Sequence, residues 1–204
     1  MGDQDMKTLS IIAIAGLAAT AGAQHLLSTG AYNGASNQTD ATATATFTYT
    51  FDSDHFGLIG DPLNIIETLD LNAILGGTAG ADAFVTGIGW DVTVEAFDPS
   101  WLSEAGYSFN GEVNLTPGVG DDLPGTGSYS SGGIVDISDA VGFDILAAGG
   151  VLNIEFFDSF DDGIDPNARS FGTLDIQVAY KPIPAPAGFA VLGLGGLAAA
   201  RRRR

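Results

Sequence analysis

Cysteine is absent from all 204 residues, which excludes disulfide frameworks, thiol nucleophiles and cysteine-ligated zinc. Basic side chains are almost as scarce. Five of the seven are Lys7 and Arg201 to Arg204, so only Arg169 and Lys181 lie between the ends. With Asp3 and Asp5 set aside, 23 of the 25 acids face those two bases, a net charge of −21. A surface of that sign repels nucleic acid, which is excluded as a partner. It suits salty water, divalent cations or simple solvation. Histidine occurs twice, as His25 and His55, so general-base chemistry has few candidates.

The two ends carry the apolar runs that the middle lacks. Met6-Lys7, the run Ile11 to Ala19 and then Ala21-Gly22-Ala23 follow the charged, apolar and small-residue order of a secretory signal peptide. Residues 1 to 23 are therefore expected to be removed by cleavage before Gln24. Two aspartates precede Met6, which is wrong for a positive leader and points to Met6 as the true start.

At the other end, residues 181 to 187 form a Pro-rich spacer, Lys181-Pro-Ile-Pro-Ala-Pro, stiff and short of donors. Residues 188 to 204 follow as an uncharged apolar run ending in four arginines. As a helix, Gly188 to Ala200 spans about 20 Å, short of the roughly 30 Å hydrocarbon layer, which makes it a marginal anchor helped by snorkelling arginines. The positive-inside rule leaves Lys7 and Arg201 to Arg204 in the cytoplasm and sends the intervening chain across the inner membrane.

Pro184-Ala185-Pro186, the Leu-Gly-Leu-Gly-Gly-Leu core and Arg201, Arg202, Arg203 and Arg204 resemble the PEP-CTERM sorting signal, with Ala185 where the family's central Glu usually stands. The resemblance implies recognition and processing by an exosortase-type membrane protease after passage through the export machinery. It also implies release to the cell surface or the extracellular polysaccharide matrix, from a precursor held in the membrane by its C-terminal helix.

From residue 24 to 180 the dominant period is two, the signature of half-buried strands. Threonine fills every even position from Thr42 to Thr50, opposite a face running from Ala to aromatic. Ile88, Trp90, Val92, Val94 and Ala96 alternate with polar residues or glycine, and so do Tyr107, Phe109, Val113 and Leu115. A two-residue turn at Asn110-Gly111 pairs Phe109 with Glu112, against the alternation, so the spacing predicts one strand with a Gly bulge or kink. Val151 to Asp158 and Phe171 to Tyr180 read as the last two strands; Leu63 to Leu75 reads as a strand or a short helix. Long turn-rich stretches cover Asp54 to Pro62, Thr116 to Gly133 and Ser159 to Ser170.

The expected fold is all-β, an antiparallel sandwich of jelly-roll-like type, flanked by the signal peptide and the short transmembrane sorting helix. The phrases Val85-Thr-Gly-Ile-Gly-Trp90-Asp-Val, Ser100-Trp-Leu-Ser-Glu104, Gly125-Thr-Gly-Ser-Tyr129-Ser-Ser-Gly-Gly133 and Leu152-Asn-Ile-Glu-Phe-Phe-Asp-Ser-Phe-Asp-Asp162 resemble β-sandwich domains of exported PEP-CTERM proteins of planctomycete-like bacteria.

One loop has the composition of a calcium site: Asp158, Asp161, Asp162 and Asp165 around Gly163. Phe160 stands where an oxygen ligand is needed, so a solvated acidic turn fits the same residues. Calcium is the sole cofactor candidate, and Asp121-Asp122 is a second source of ligands if the fold brings it near. Asp52-Ser53-Asp54-His55 holds the atoms of a catalytic triad at a spacing that cannot converge. Glu95 with Glu112 or Glu104 is the pair a glycosidase would need. Trp101, in a turn, is the candidate exposed ring for stacking on a sugar, whereas Trp90 lies in an apolar register. The sequence thus reads as an exported, non-catalytic cell-surface or matrix protein. A module binding matrix polysaccharide and a secreted carboxylate-dependent hydrolase are the alternatives.

Overall fold

The computed structural model describes residues 43 to 183, together with the two-residue strand β1, Ile11–Ile12. Two sheets, almost wholly antiparallel, face each other as a sandwich. The remaining strands are β2 (Ala43–His55), β3 (Ile65–Asp70), β4 (Ala83–Ala96), β5 (Ala105–Phe109) and β6 (Val113–Leu115), followed by β7 (Gly125–Ser130), β8 (Val135–Asp136), β9 (Ile145–Ala147), β10 (Val151–Asp158) and β11 (Ala168–Tyr180). One sheet has the order β1-β6-β5-β10-β3, with β1 parallel to β6. The other has the order β2-β11-β4-β7, and β8 and β9 also pair with β4.

Alternation decides which side of each strand is buried. In β2 the threonines Thr44 to Thr50 are exposed while Phe51, Ser53 and His55 are buried, as the period of two predicts. The expected strand around Trp90 is longer than its clean alternation. A register shift opposite Gln177 and Val178 reverses its parity, so that Ala83 and Val85 face inward with Ile88, Trp90 and Val92. Phe51, Tyr107 and Phe156 meet between the sheets with ring centroids 5.1 to 5.4 Å apart. Such tilted and edge-on contacts suit the ring quadrupoles.

The single strand expected across Asn110-Gly111 is instead a hairpin. Tyr107 pairs with Leu115 and Phe109 with Val113. Three loop residues, Asn110, Gly111 and Glu112, separate the strands. That odd count removes the clash of faces, because Phe109 now meets an apolar partner. Asn110 (φ 50°) and Gly111 (φ 68°) supply the left-handed backbone. Asn110 is fixed there by Nδ2 donating to Leu146 O at 2.9 Å and by Oδ1 accepting from Asn153 N at 2.8 Å.

The segment Leu63 to Leu75 contains both alternatives in turn. β3 ends at Asp70, whose carboxylate caps the helix α1 (Leu71–Leu75) by accepting from Ala73 N, and Gly76 closes it in the left-handed region. A second short helix, α2 (Ile137–Val141), is built likewise between Asp136 and Gly142. Strand β7 lies inside a stretch expected to be turn. Among the described residues no helix is long and apolar enough to cross a membrane. Residues 1 to 10, 13 to 42 and 184 to 204 lie outside the description, and with them most of the expected leader, its cleavage site and the sorting segment with Pro184, Ala185, Pro186 and Arg201 to Arg204.

Strand β11 is the middle of its sheet, paired along its length with β2 on one side and β4 on the other. At Gly172 (φ 145°) the neighbouring backbone comes so close that a Cβ would lie 2.3 Å from Asp91 O. Gly172→Ala is expected to lower the unfolding free energy by about 1 to 3 kcal/mol from backbone strain alone, with the clash in addition. Urea unfolding of the full chain measures it, and an unchanged midpoint would contradict the register described.

Candidate functional site

One end of the sandwich collects buried polar groups where the loops after β2, β4 and β10 meet. His55 ends β2 and is fully buried. Its Nδ1 lies 2.8 Å from Phe157 O and its Nε2 2.6 Å from Ser170 Oγ. A carbonyl only accepts, so Nδ1 carries the proton and Nε2 accepts from the serine hydroxyl. Burial depresses the imidazole pKa to about 4, with the Phe157 carbonyl acting in the opposite sense.

This neutral imidazole facing a serine hydroxyl has the polarity of a nucleophile and its base. Ser170, however, is itself fully buried, beneath Tyr107, whose hydroxyl is buried without a well-formed hydrogen bond. Burial raises the Tyr107 pKa, and Ser170 pulls it the other way. A substrate has no route to the pair.

Ser53, too close in sequence to His55 to serve it, pairs with Ser170 across the strands. The inward parity of Leu174, Ile176 and Val178, carried back along β11, is the signal that marks Ser170.

The acidic loop begins at the same place. Asp158 is fully buried. Its Oδ1 accepts from Phe160 N at 3.0 Å, and its Oδ2 lies 3.2 Å from Ser100 Oγ. Burial pushes the carboxyl up to about 6; the Phe160 amide and Ser100 oppose this, while Glu104 and Asp162 add to it. Asp161 accepts from Gly163 N at 2.8 Å, the closing bond of a local turn. Asp165 precedes Pro166 through a cis peptide bond, as Asp98 precedes Pro99. Asp162 Oδ2 is buried without a hydrogen-bond partner. Among the described residues no three His, Asp or Glu side chains are placed to hold a metal ion, so Asp158, Asp161, Asp162 and Asp165 do not converge as a cage.

Asp121-Asp122 does approach this end, but its carboxylates accept from Tyr129 Oη at 2.7 Å and Ser103 Oγ at 2.8 Å. Trp90 is in the core at 5% exposure, while Trp101 is 43% exposed. The Trp101 turn is held by Glu104, whose Oε2 accepts from Trp101 N at 2.7 Å. Glu95, beside Arg169 on β11, is at the His55 end of the sandwich. Glu112 is in the hairpin loop at the other end, so those two carboxylates cannot flank one glycosidic bond.

No family model matches the chain, and no curated protein matches it. Three solved structures show weak likeness. The infectious bursal disease virus Gt strain structure has 12% identity and a TM-score of 0.29, over 71% of this chain and 39% of that one. A Nora virus structure has 14% identity and a TM-score of 0.23, over 70% and 59%. The 60-mer BFDV capsid protein has 10% identity and a TM-score of 0.23, over 72% and 98%. The chain thus spans less than two thirds of the first two. Scores this low say nothing about its fold or its activity.

The His55 shift has a definite sign. A folded pKa of about 4 against 6.5 unfolded contributes stability that is fully present above pH 6.5 and lost as pH falls through 4. Its size is on the order of 3 kcal/mol. Asp158, raised above its unfolded value, acts oppositely between about pH 4 and 6. NMR titration of the His55 ring should give a midpoint near 4; a midpoint near 6.5 would mean that the ring is solvated. Calcium and magnesium should give the same melting temperature at equal ionic strength. A calcium-specific rise, roughly 2.7 kcal/mol at a hundredfold excess over Kd, would place a metal at Asp158 to Asp165.

Proposed function

We propose that the chain is an exported, non-catalytic protein of the cell surface or extracellular matrix, presenting one acidic sandwich outside the inner membrane. The observation that carries the non-catalytic part is the closure of the His55, Ser170 and Asp158 cluster. His55, Ser170 and Asp158 are each fully buried, and His55 and Asp158 are engaged with Phe157, Ser100 and Phe160.

The leader at residues 1 to 23 and the tail from Pro184 to Arg204 support export, passage by the export machinery and sorting by an exosortase-type protease. In this reading residues 188 to 200 form the short membrane helix of the precursor. Successive strands cross between the sheets, from β2 to β3, β3 to β4 and β10 to β11, which supports a jelly-roll-like sandwich as its displayed part.

Cell fractionation tests the reading. The wild-type chain should be recovered outside the inner membrane, shortened before Gln24 and near Pro184 to Pro186. A variant with Arg201 to Arg204 replaced by serine should keep its tail and remain membrane-bound. Recovery of the full-length protein in the cytoplasm with both ends intact would refute the proposal.

A further inference from the structure

The outward face of the sheet containing β10 carries a groove that the cluster at the sandwich end does not reach. Strand pairing sets Glu155 between Ile66 of β3 and Ser108 of β5, and sets Asn153 beside Thr68. Ile66, Ser108, Asn110, Val151, Asn153 and Glu155 line an open cavity of about 580 Å³. That is within the range of roughly 300 to 1,000 Å³ typical of small-molecule sites. Beyond Glu155 the groove is bounded where Phe157 covers Gly106, at which a Cβ would lie 2.5 Å from the ring.

The polar groups are held in place and keep unused capacity. Glu155 Oε1 accepts from Gly60 N at 2.6 Å and Asn64 Nδ2 at 2.8 Å, which leaves Oε2 to accept from a ligand. Asn153 Oδ1 accepts from Thr68 at 2.8 Å, leaving its Nδ2 as a donor. Ser108 is 1% exposed, lines the cavity, and its buried hydroxyl has no hydrogen-bond partner. An unpaired buried hydroxyl is costly in a folded protein and needs an explanation. Beside this row stand the aliphatic side chains of Ile66, 57% exposed, and Val151, 39% exposed.

The geometry points to this groove as a binding site for a neutral hexose unit of an oligosaccharide or polysaccharide. A hexose has aliphatic C–H faces and a rim of hydroxyls that both donate and accept. Ile66 and Val151 match the first; Glu155, Asn153 and Ser108, which supply acceptors and donors together, match the second. Glu155 and the acidic surface select against uronate or sulfate sugars. Glu155 is the sole carboxylate among the lining residues, whereas glycoside hydrolysis uses two, so the site binds without cleaving. This groove is distinct from the Trp101 turn and does not depend on the export reading.

Titration calorimetry of the full chain with maltotetraose and cellotetraose, and with tetragalacturonate as the anionic control, tests the inference. At least one neutral tetrasaccharide should bind and the galacturonate should not. Asn153→Ala and Ile66→Asp should each weaken binding tenfold or more. Glu155→Gln keeps the Oε1 acceptor that holds the loop, and it should weaken binding without a change in melting temperature. Trp101→Ala should leave affinity unchanged. The inference fails if neither neutral sugar binds at about 1 mM. It fails equally if the folded groove variants bind as wild type does, if Trp101→Ala abolishes binding, or if the galacturonate binds best.

Discussion

Strand β11 sets the arrangement on which the other elements depend. It is hydrogen-bonded on both edges, from Ala168 opposite His55 and Ala96 to Tyr180 opposite Ala43. A strand in that position fixes two registers at once, and a slip of one residue would turn Leu174, Ile176 and Val178 out of the core. Thr48 donating to Asp175 at 2.6 Å and the two-pronged contact of Arg169 with Asp52 lie across the β2 pairing on the solvent side. Exposed ion pairs add little stability; their position reports the register more than it enforces it. Enforcement comes from the buried side and from Gly172, where only a residue without a side chain lets the β4 backbone approach.

What could be read from the sequence is what alternation encodes. Threonine at every second position marked the wet face of β2, and the bounds of β10 followed from Val151 to Asp158. Strand β7 was missed because Gly-Thr-Gly-Ser-Tyr-Ser has no apolar alternation; its pairing with β4 and the packing of Tyr129 make it a strand. The hairpin at Asn110 is hidden in the sequence because a two-residue turn at Asn110-Gly111 sets Phe109 against Glu112, and only a three-residue loop restores its facing to Val113. Trp90 and Trp101 fell on opposite sides of the burial divide, as their surroundings in the sequence indicated. The pairing of His55 with Ser170, 115 residues apart, was not legible. Cross-sheet partners depend on a register that no local pattern contains. The same holds for the groove, whose polar residues alternate visibly along β10 but meet Ser108 and Ile66 only through pairing.

The two classes of polar residue serve opposite ends. Those at the His55 end are turned inward and tie loops together, and their displaced pKa values follow from burial rather than from any task. Perturbed titration is a common mark of functional sites, but structural networks produce it too. The groove side chains differ in the hydrogen-bonding capacity they leave over, at Glu155 Oε2, Asn153 Nδ2 and the Ser108 hydroxyl.

The place of β11 in the chain also governs the order in which the molecule can assemble. Its partners β2 and β4 never pair with each other, so until the last strand arrives they remain unjoined. Closing such distant pairings is entropically slow and leaves apolar edges exposed meanwhile. A chain delivered amino end first, from a ribosome or through a narrow channel, therefore cannot complete this sheet until about residue 180 has emerged. Late completion of the sheet and its cohesion afterwards come from the same topological fact: the keystone is laid last.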